Sequence, residues 1–218
     1  MRLWSTSPRL RALAGLAVVA AAASLEACAA PPYRYVASTG DDVVIKVPRS
    51  WTVVRDGAPQ ADATSAPEPD GAWQAVYDAD AKPDPNHANP LVPAKAPVAL
   101  ARTYVLTKEQ GQSLSADTLR DAFLPVTEAA RARFVGSKEI ETFRLLRNED
   151  VKSRTATGVH VVYSYDLGRG RAVFDEIVML SRQKTRVHLL VVHCLQSCYT
   201  ENERDIAQAV DSFTVKVP

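Results

Sequence analysis

Hydrophobic positions along this chain follow two regimes. From Ala12 to Leu25 the sequence ALAGLAVVAAAASL is apolar without a break. From residue 42 onward, apolar positions recur instead with a period of two, or of three to four. The first run is 14 residues long, short of the ~20 that a membrane-spanning helix needs. Only basic charges precede it (Arg2, Arg9 and Arg11). A basic start and a short apolar run make the pattern of a secretory signal peptide.

The period of two predicts strands. Asp42–Pro48 reads as the first, with Trp51–Val54 as its continuation. Ala72–Asp78 and Val98–Leu106 follow. A later series comprises Glu141–Asp150, Gly158–Leu167, Arg171–Ser181 and Arg186–Cys194. Gly168-Arg169-Gly170 marks a hairpin turn within that series. Val161, Tyr163, Tyr165 and Leu167 share one strand face, and His160, Ser164 and Asp166 the other, which predicts a sheet with one drier face. The helical period appears in Leu114–Phe134, where Leu119, Phe123, Val126, Ala130 and Phe134 form one stripe. Pro125 lies inside it and predicts a kink or a break into two short helices. Thr200–Glu203 reads as a capping box opening a last helix. Ile206, Val210 and Phe213 are its buried stripe, with Ala209 between them, and Asp211–Val217 ends the helix and adds a short strand.

The remaining segments read as connections. Ala29–Thr39 is a tether stiffened by Pro31-Pro32. Gly57–Gly71 is a polar loop. Asp80–Pro97 holds five prolines and no period, which predicts a solvated surface excursion. The predicted organisation is a signal peptide over 1–27, a lipidated tether over 28–41, and one domain over 42–218 with its Pro-rich loop at about 80–97.

The apolar run ends in Leu25-Glu26-Ala27-Cys28. This resembles a bacterial lipobox, in which Cys28 would receive a diacylglycerol thioether; a thiolate is the nucleophile for that step. Glu26 departs from the usual small or apolar residue. Ordinary secretion, with cleavage after Ala29 discarding Cys28, and an uncleaved anchor are the alternatives. Two or three acyl chains would give stable anchoring. Removing residues 1–27 leaves 23 basic and 24 acidic side chains, a net charge of −1. Such a balance gives no electrostatic footprint for nucleic acid. The expected location is the outer face of the cell membrane, held by lipid. The domain is expected to be monomeric, with an envelope protein as partner.

Cys194 and Cys198 then remain, an even number for an oxidising compartment. Four residues of strand span about 13 Å, and a disulfide needs Cα atoms within about 7 Å. A bridge therefore requires the chain to turn between them, with Leu195–Ser197 as a pinched loop. Free thiols and a metal site using His193, Cys194 and Cys198 are the alternatives. Neighbours on a strand point to opposite faces, which speaks against His193 and Cys194 as joint ligands.

The order of elements resembles the PsbP-like fold, also seen in Ran-binding Mog proteins and in bacterial lipoproteins. Val43-Val44-Ile45-Lys46-Val47-Pro48 with Ser50-Trp51 is similar to that family's opening motif, Ser50 standing where glycine is usual. Ile206, Val210, Ser212, Phe213 and Val215 are similar to its closing motif. The resemblance implies an α/β/α sandwich, an antiparallel sheet flanked by helices. It also implies a non-catalytic accessory or assembly role, and it carries over no functional residues.

No nucleophile elbow, phosphate loop, zinc-protease helix or dinucleotide glycine pattern is present. His160 reads as a hydrogen-bonded sheet residue, and His188 and His193 as strand residues on opposite faces. Asp175-Glu176 reads as solvated charge, Trp51 and Trp73 as core, and Arg182–Arg186 as a turn. His87 with Asp80 and Asp84 is a weak metal candidate. No catalytic residue, cofactor or metal is expected. The leading expectation is a lipid-anchored accessory protein that binds another envelope component. The alternative is a carrier of a small ligand or lipid, with a cleft between sheet and long helix and the Pro-rich loop as a lid. An unrecognised hydrolase is the third reading.

Overall fold

A computed structural model describes residues 31–38, 40, 42–59, 71–92, 94–134 and 142–216. Seven strands form the larger sheet: β3 (Thr52–Gly57), β4 (Trp73–Asp78), β5 (Val98–Val105), β6 (Arg144–Lys152), β7 (Ala156–Asp166), β8 (Arg171–Ser181) and β9 (Arg186–Leu195). Their order is β3-β4-β5-β9-β8-β7-β6, and every pairing is antiparallel. A second sheet of three strands pairs β1 (Tyr33–Ala37) and β10 (Thr214–Val215) on either side of β2 (Val43–Pro48). Five short helices complete the unit: α1 (Lys108–Ser113), α2 (Ala116–Arg120), α3 (Glu128–Arg131), α4 (Gln196–Glu201) and α5 (Glu203–Asp211).

The register sorts the side chains of the larger sheet into two faces. On the first, Tyr163, Phe174 and His193 stand in one row, and Val161, Glu176 and Val191 in the next. The α1–α3 segment covers this face: Phe123 lies against Phe174 and His193, and the Tyr165 hydroxyl donates to the Pro125 carbonyl. On the second, Asp175, Val192 and Ala99 stand in line, with His160 and Ile177 in the row beside them. α4, α5 and the small sheet cover it. The Tyr199 hydroxyl of α4 donates to Asp175. Val43, Ile45 and Val47 of β2 are buried in the same core as Ile206, Ala209 and Val210 of α5. The antiparallel sheet flanked by helices is therefore present, and both of its faces are covered.

Most of the strand periods become strands, because β-branched and aromatic residues fit a pleated, buried surface. Several expectations need correction. The stretch read as a tether contains β1, and the compact unit begins at Tyr33. Arg34 and Val36 alternate with exposed Tyr35 and Ala37 and pair with Val47 and Ile45, a short period masked by the neighbouring prolines. Trp51–Val54 does not continue β2. The Trp51 amide donates to the Pro48 carbonyl in a turn, and β3 enters the larger sheet beside β4. The helical stretch over 114–134 does break into two short helices, as Pro125 predicts: α2, a bridge over 121–127, and α3. Pro125 supplies part of the reason. Asp121 supplies the rest, since its carboxylate accepts from the Val126 and Thr127 amides and the Thr127 hydroxyl at 2.6–2.8 Å.

The capping box at Thr200–Glu203 does not form. α4 already runs through Thr200, whose hydroxyl donates to the Gln196 carbonyl, and Asn202 precedes α5. The capping box that does form joins Thr107 and Gln110 at the start of α1. Gly111 of α1 sits so close to the β8–β9 turn that a Cβ there would lie 1.9 Å from the Lys184 carbonyl oxygen. That contact fixes α1 against the sheet.

Candidate functional site

Leu25, Glu26, Ala27 and Cys28, the anchoring residues read from the sequence, lie outside the described residues. Cys194 and Cys198 are joined by a disulfide. The chain turns as that bridge requires, but the connection is the end of β9 entering the first turn of α4, and not a pinched loop. Both cysteines are buried. The bridge fastens α4 to the second face, while His193 points to the first. The three residues therefore do not form a joint metal site. Among the described residues, no group of three or more His, Cys, Asp or Glu side chains is placed to hold a metal ion.

Asp175 and Glu176 overturn the reading of solvated charge. Both are buried, one on each face. Asp175 Oδ1 lies 2.7 Å from His160 Nε2, and Oδ2 accepts from the Tyr199 hydroxyl at 2.7 Å. Burial, and then the neighbouring Asp175, raises the proton affinity of Tyr199. Glu176 Oε2 accepts from the Tyr163 hydroxyl at 2.8 Å, while Oε1 has no hydrogen-bond partner among the described residues. Burial pushes the Glu176 carboxyl up to about 8; the Tyr163 bond and the nearby Phe123 amide offset that only in part, and Asp121 adds to it. Beside it, His193 stacks on Phe174 with ring centroids 5.4 Å apart, and its Nε2 is also unpartnered. Burial drives His193 down to about 4.

The Pro-rich loop is pinned rather than free. Asp78, wholly buried, accepts from the Asp80 and Asp84 amides at 2.8 and 3.0 Å, and its Oδ2 lies 2.7 Å from His87 Nδ1. His87 therefore serves the loop's attachment, and Asp80 and Asp84 turn their amides, not their carboxylates, toward the same acid. His188 bonds Thr103 at 3.1 Å on the second face, and burial lowers it to about 4. Trp51 and Trp73 are core. Arg182–Arg186 is a turn, as expected, except that Arg186 pairs with buried Asp42. Burial alone would raise the Asp42 carboxyl, but hydrogen bonds from Ser38 and Arg186 outweigh it and hold it low.

The open concave surface lies elsewhere. Two grooves of about 630 and 650 Å3 adjoin the α2–α3 segment and share Asp117 and Thr127. The first is lined by Phe123, Leu124, Pro125 and Phe134, and the second reaches Phe143 and Leu145 beside β6. Phe134 and Leu145 are each about half exposed. Charges of both signs rim the area: Asp117, Glu128, Arg120 and Arg131. The space expected to hold a carrier's ligand, between sheet and cover, is filled by Phe123, Phe143, Tyr163, Tyr165 and Phe174 in mutual contact. Sequence reading missed the grooves because they depend on the break at 121–127. An unbroken helix would have laid Phe134 in the same stripe as Leu119.

No protein-family model matches the chain, and no curated protein matches it. Solved structures do. LpqN of Mycobacterium tuberculosis, described as involved in cell envelope biogenesis, is 13% identical with a TM-score of 0.48, over 85% of this chain and 91% of LpqN. The cyanobacterial PsbP of Synechocystis is 9% identical with a TM-score of 0.47, over 87% of this chain and 96% of that one. The Ran-binding protein Mog1p of Saccharomyces cerevisiae is 11% identical with a TM-score of 0.43, over 84% and 95%. The chain is thus similar in fold to PsbP-like and Mog proteins, and at these identities the likeness is one of fold alone.

Proposed function

We propose that this chain is an exported, lipid-anchored accessory protein that binds an envelope protein without catalysing a reaction on it. One observation carries the reading. The carboxyl and imidazole groups whose proton affinities are most displaced, Glu176, His188 and His193, are sealed in the interior, each at most 1% exposed. The open grooves instead present apolar Phe123, Leu124, Phe134, Phe143 and Leu145 beside charges of both signs. Catalytic groups need contact with substrate. An apolar floor with a polar rim is the anatomy of a protein interface. The rim suits a partner segment that is apolar at its centre and carries both charges at its flanks. Anchoring through Cys28 would hold the domain beside such a partner. No helix among the described residues is long and apolar enough to cross a membrane.

The test is site-specific photocrosslinking in intact cells from Phe134 and from Leu145. Leu91, exposed on the Pro-rich loop, serves as the control position, and Cys28→Ala as the unanchored control. One envelope protein captured from both groove positions but not from Leu91, and weakened by Cys28→Ala, is the expected result. Equal capture from Leu91, or none from either groove position, would overturn the reading.

A further inference from the structure

We infer that the hollow between β6 and α4, on the second face of the larger sheet, binds a phosphate group. It encloses about 190 Å3, and no acidic side chain lines it. Arg144 stands on the β6 side, Ser164 and Arg171 form the floor, and Gln196, Tyr199 and Thr200 of α4 form the roof. The register sets Arg144 directly opposite Ser164. Arg144 has no ion pair or hydrogen bond among the described residues. Arg171 is aimed by two bonds from one nitrogen, its Nη1 donating to the Thr142 carbonyl and to Ser164 Oγ, both at 3.0 Å. A guanidinium carries five N–H donors, so Arg171 is held in place and keeps donors for a ligand.

Asp166 stands opposite Arg171 in the β7–β8 register, but its Oδ1 accepts from the Gly168 amide and it forms no ion pair with Arg171; Asp175, on the same face, has both oxygens engaged by His160 and Tyr199. Its charge is spent on the wall of the hollow and not on either arginine. Two guanidinium groups without a carboxylate partner, on neighbouring walls of one concavity, form a strong anion site. The open donors are the two guanidinium groups, the Ser164 hydroxyl and the Gln196 side-chain amide, since the Tyr199 and Thr200 hydroxyls already donate to Asp175 and to the Gln196 carbonyl. That spread suits the tetrahedral oxygens of a phosphate better than the single plane of a carboxylate. The Cys194–Cys198 bridge holds α4, and with it the roof, over the floor. The phosphate could belong to a soluble phosphate ester or to the headgroup of an anionic phospholipid. The site is separate from the α2–α3 grooves and does not rest on the partner reading above.

The test uses the exported chain carrying Cys28→Ala, so that no anchor contributes. Inorganic phosphate is titrated while the amide resonances of Ser164 and Tyr199 are followed. Saturable shifts are expected, at least about tenfold weaker in Arg144→Ala and unchanged in Arg169→Ala, an exposed turn residue outside the hollow. Flotation with phosphatidylglycerol and phosphatidylcholine vesicles separates the sources. Binding to the former alone, competed by phosphate and lost in Arg144→Ala, assigns the headgroup. Phosphate binding without vesicle binding assigns a soluble ester. Absence of saturable shifts, or equal binding by Arg144→Ala, would overturn the proposal. Arg144 is exposed, so its replacement leaves the fold intact, and circular dichroism checks that.

Discussion

Asp175 and Glu176 are chain neighbours on one strand, yet the two faces of the sheet receive them differently. Asp175 meets complete polar company, with His160 and Tyr199 each bonding one oxygen. Glu176 meets aromatic rings, one hydroxyl, and an oxygen left without a partner. The faces are also fastened differently. The second is closed by a disulfide, by the Asp42–Arg186 pair, and by a bond from the Lys46 amide to Ser212 Oγ at 2.8 Å. The cover of the first hangs on Asp121, on the Tyr165–Pro125 bond, and on the Asp78 clamp at the Pro-rich loop. A buried acid with all its partners helps specify one packing. A buried acid lacking one is a standing cost. The first face is thus the less committed of the two, and it is the face whose cover carries the open grooves.

The largest expected effect comes from breaking the satisfied cluster. Asp175→Ala leaves buried His160 and half-buried Tyr199 without their acceptor and should cost about 3–5 kcal/mol. Denaturant unfolding of variant and parent measures it. A loss below about 1 kcal/mol would mean that water replaces the carboxylate, and the contrast between the faces would fail at its stronger side.

That cluster also shows what the sequence could not tell. The alternation in β7 was legible, and it placed His160 and Tyr163 on opposite faces correctly. What covers each face was not. The pairing of His160 with Asp175 needs the β7–β8 register, and Tyr199 arrives from a helix that begins four residues before the predicted cap. A charged pair such as Asp175-Glu176 reads as solvent-facing because most are. Only the two covers, built from distant stretches of chain, make it an exception. Strands, the turn at 168–170 and the terminal helix were written locally. The break at 121–127 was half written, since Pro125 signalled it but the carboxylate of Asp121 sets its shape. The grooves follow from that break and were invisible for the same reason.

The second effect concerns the unsatisfied side. The folded chain holds the Glu176 proton up to about pH 8, while the unfolded chain releases it near the usual 4.5. Stability therefore falls as pH rises through that window. His188 and His193, both held near 4 from a usual 6.5, act in the opposite sense: the unfolded chain takes up their protons first, so stability falls as pH drops from 6.5 toward 4. Together they place the maximum near pH 6.5. Glu176→Gln should remove the part of the decline between pH 6.5 and 8 that Glu176 contributes, about 2 kcal/mol, and should keep the acid limb and steepen it, since Glu176 opposes the two histidines there. Denaturant midpoints at pH 5, 6.5 and 8 read this directly. An unchanged alkaline limb in the variant would show that Glu176 is not the group holding the proton.

The smallest effect tests whether the two faces are separate units. The Cys194–Cys198 bridge closes only a short loop, so its entropic contribution is modest, about 2 kcal/mol. Cys198→Ser with Cys194→Ser removes it without adding bulk. If the bridge serves the second face alone, amide exchange should accelerate in α4 and at the adjoining end of β9. Exchange in α1, α2 and the 121–127 bridge should not change, since their attachments are Asp121, Tyr165 and the Gly111 contact. Tyr199 would then be the remaining tether of α4 to the sheet, so Tyr199→Phe should cost more in the bridge-free chain than in the parent. Equal acceleration on both covers would mean that the sheet transmits the loosening. The two faces would then be one cooperative unit, and the difference between Asp175 and Glu176 a matter of local bonding alone.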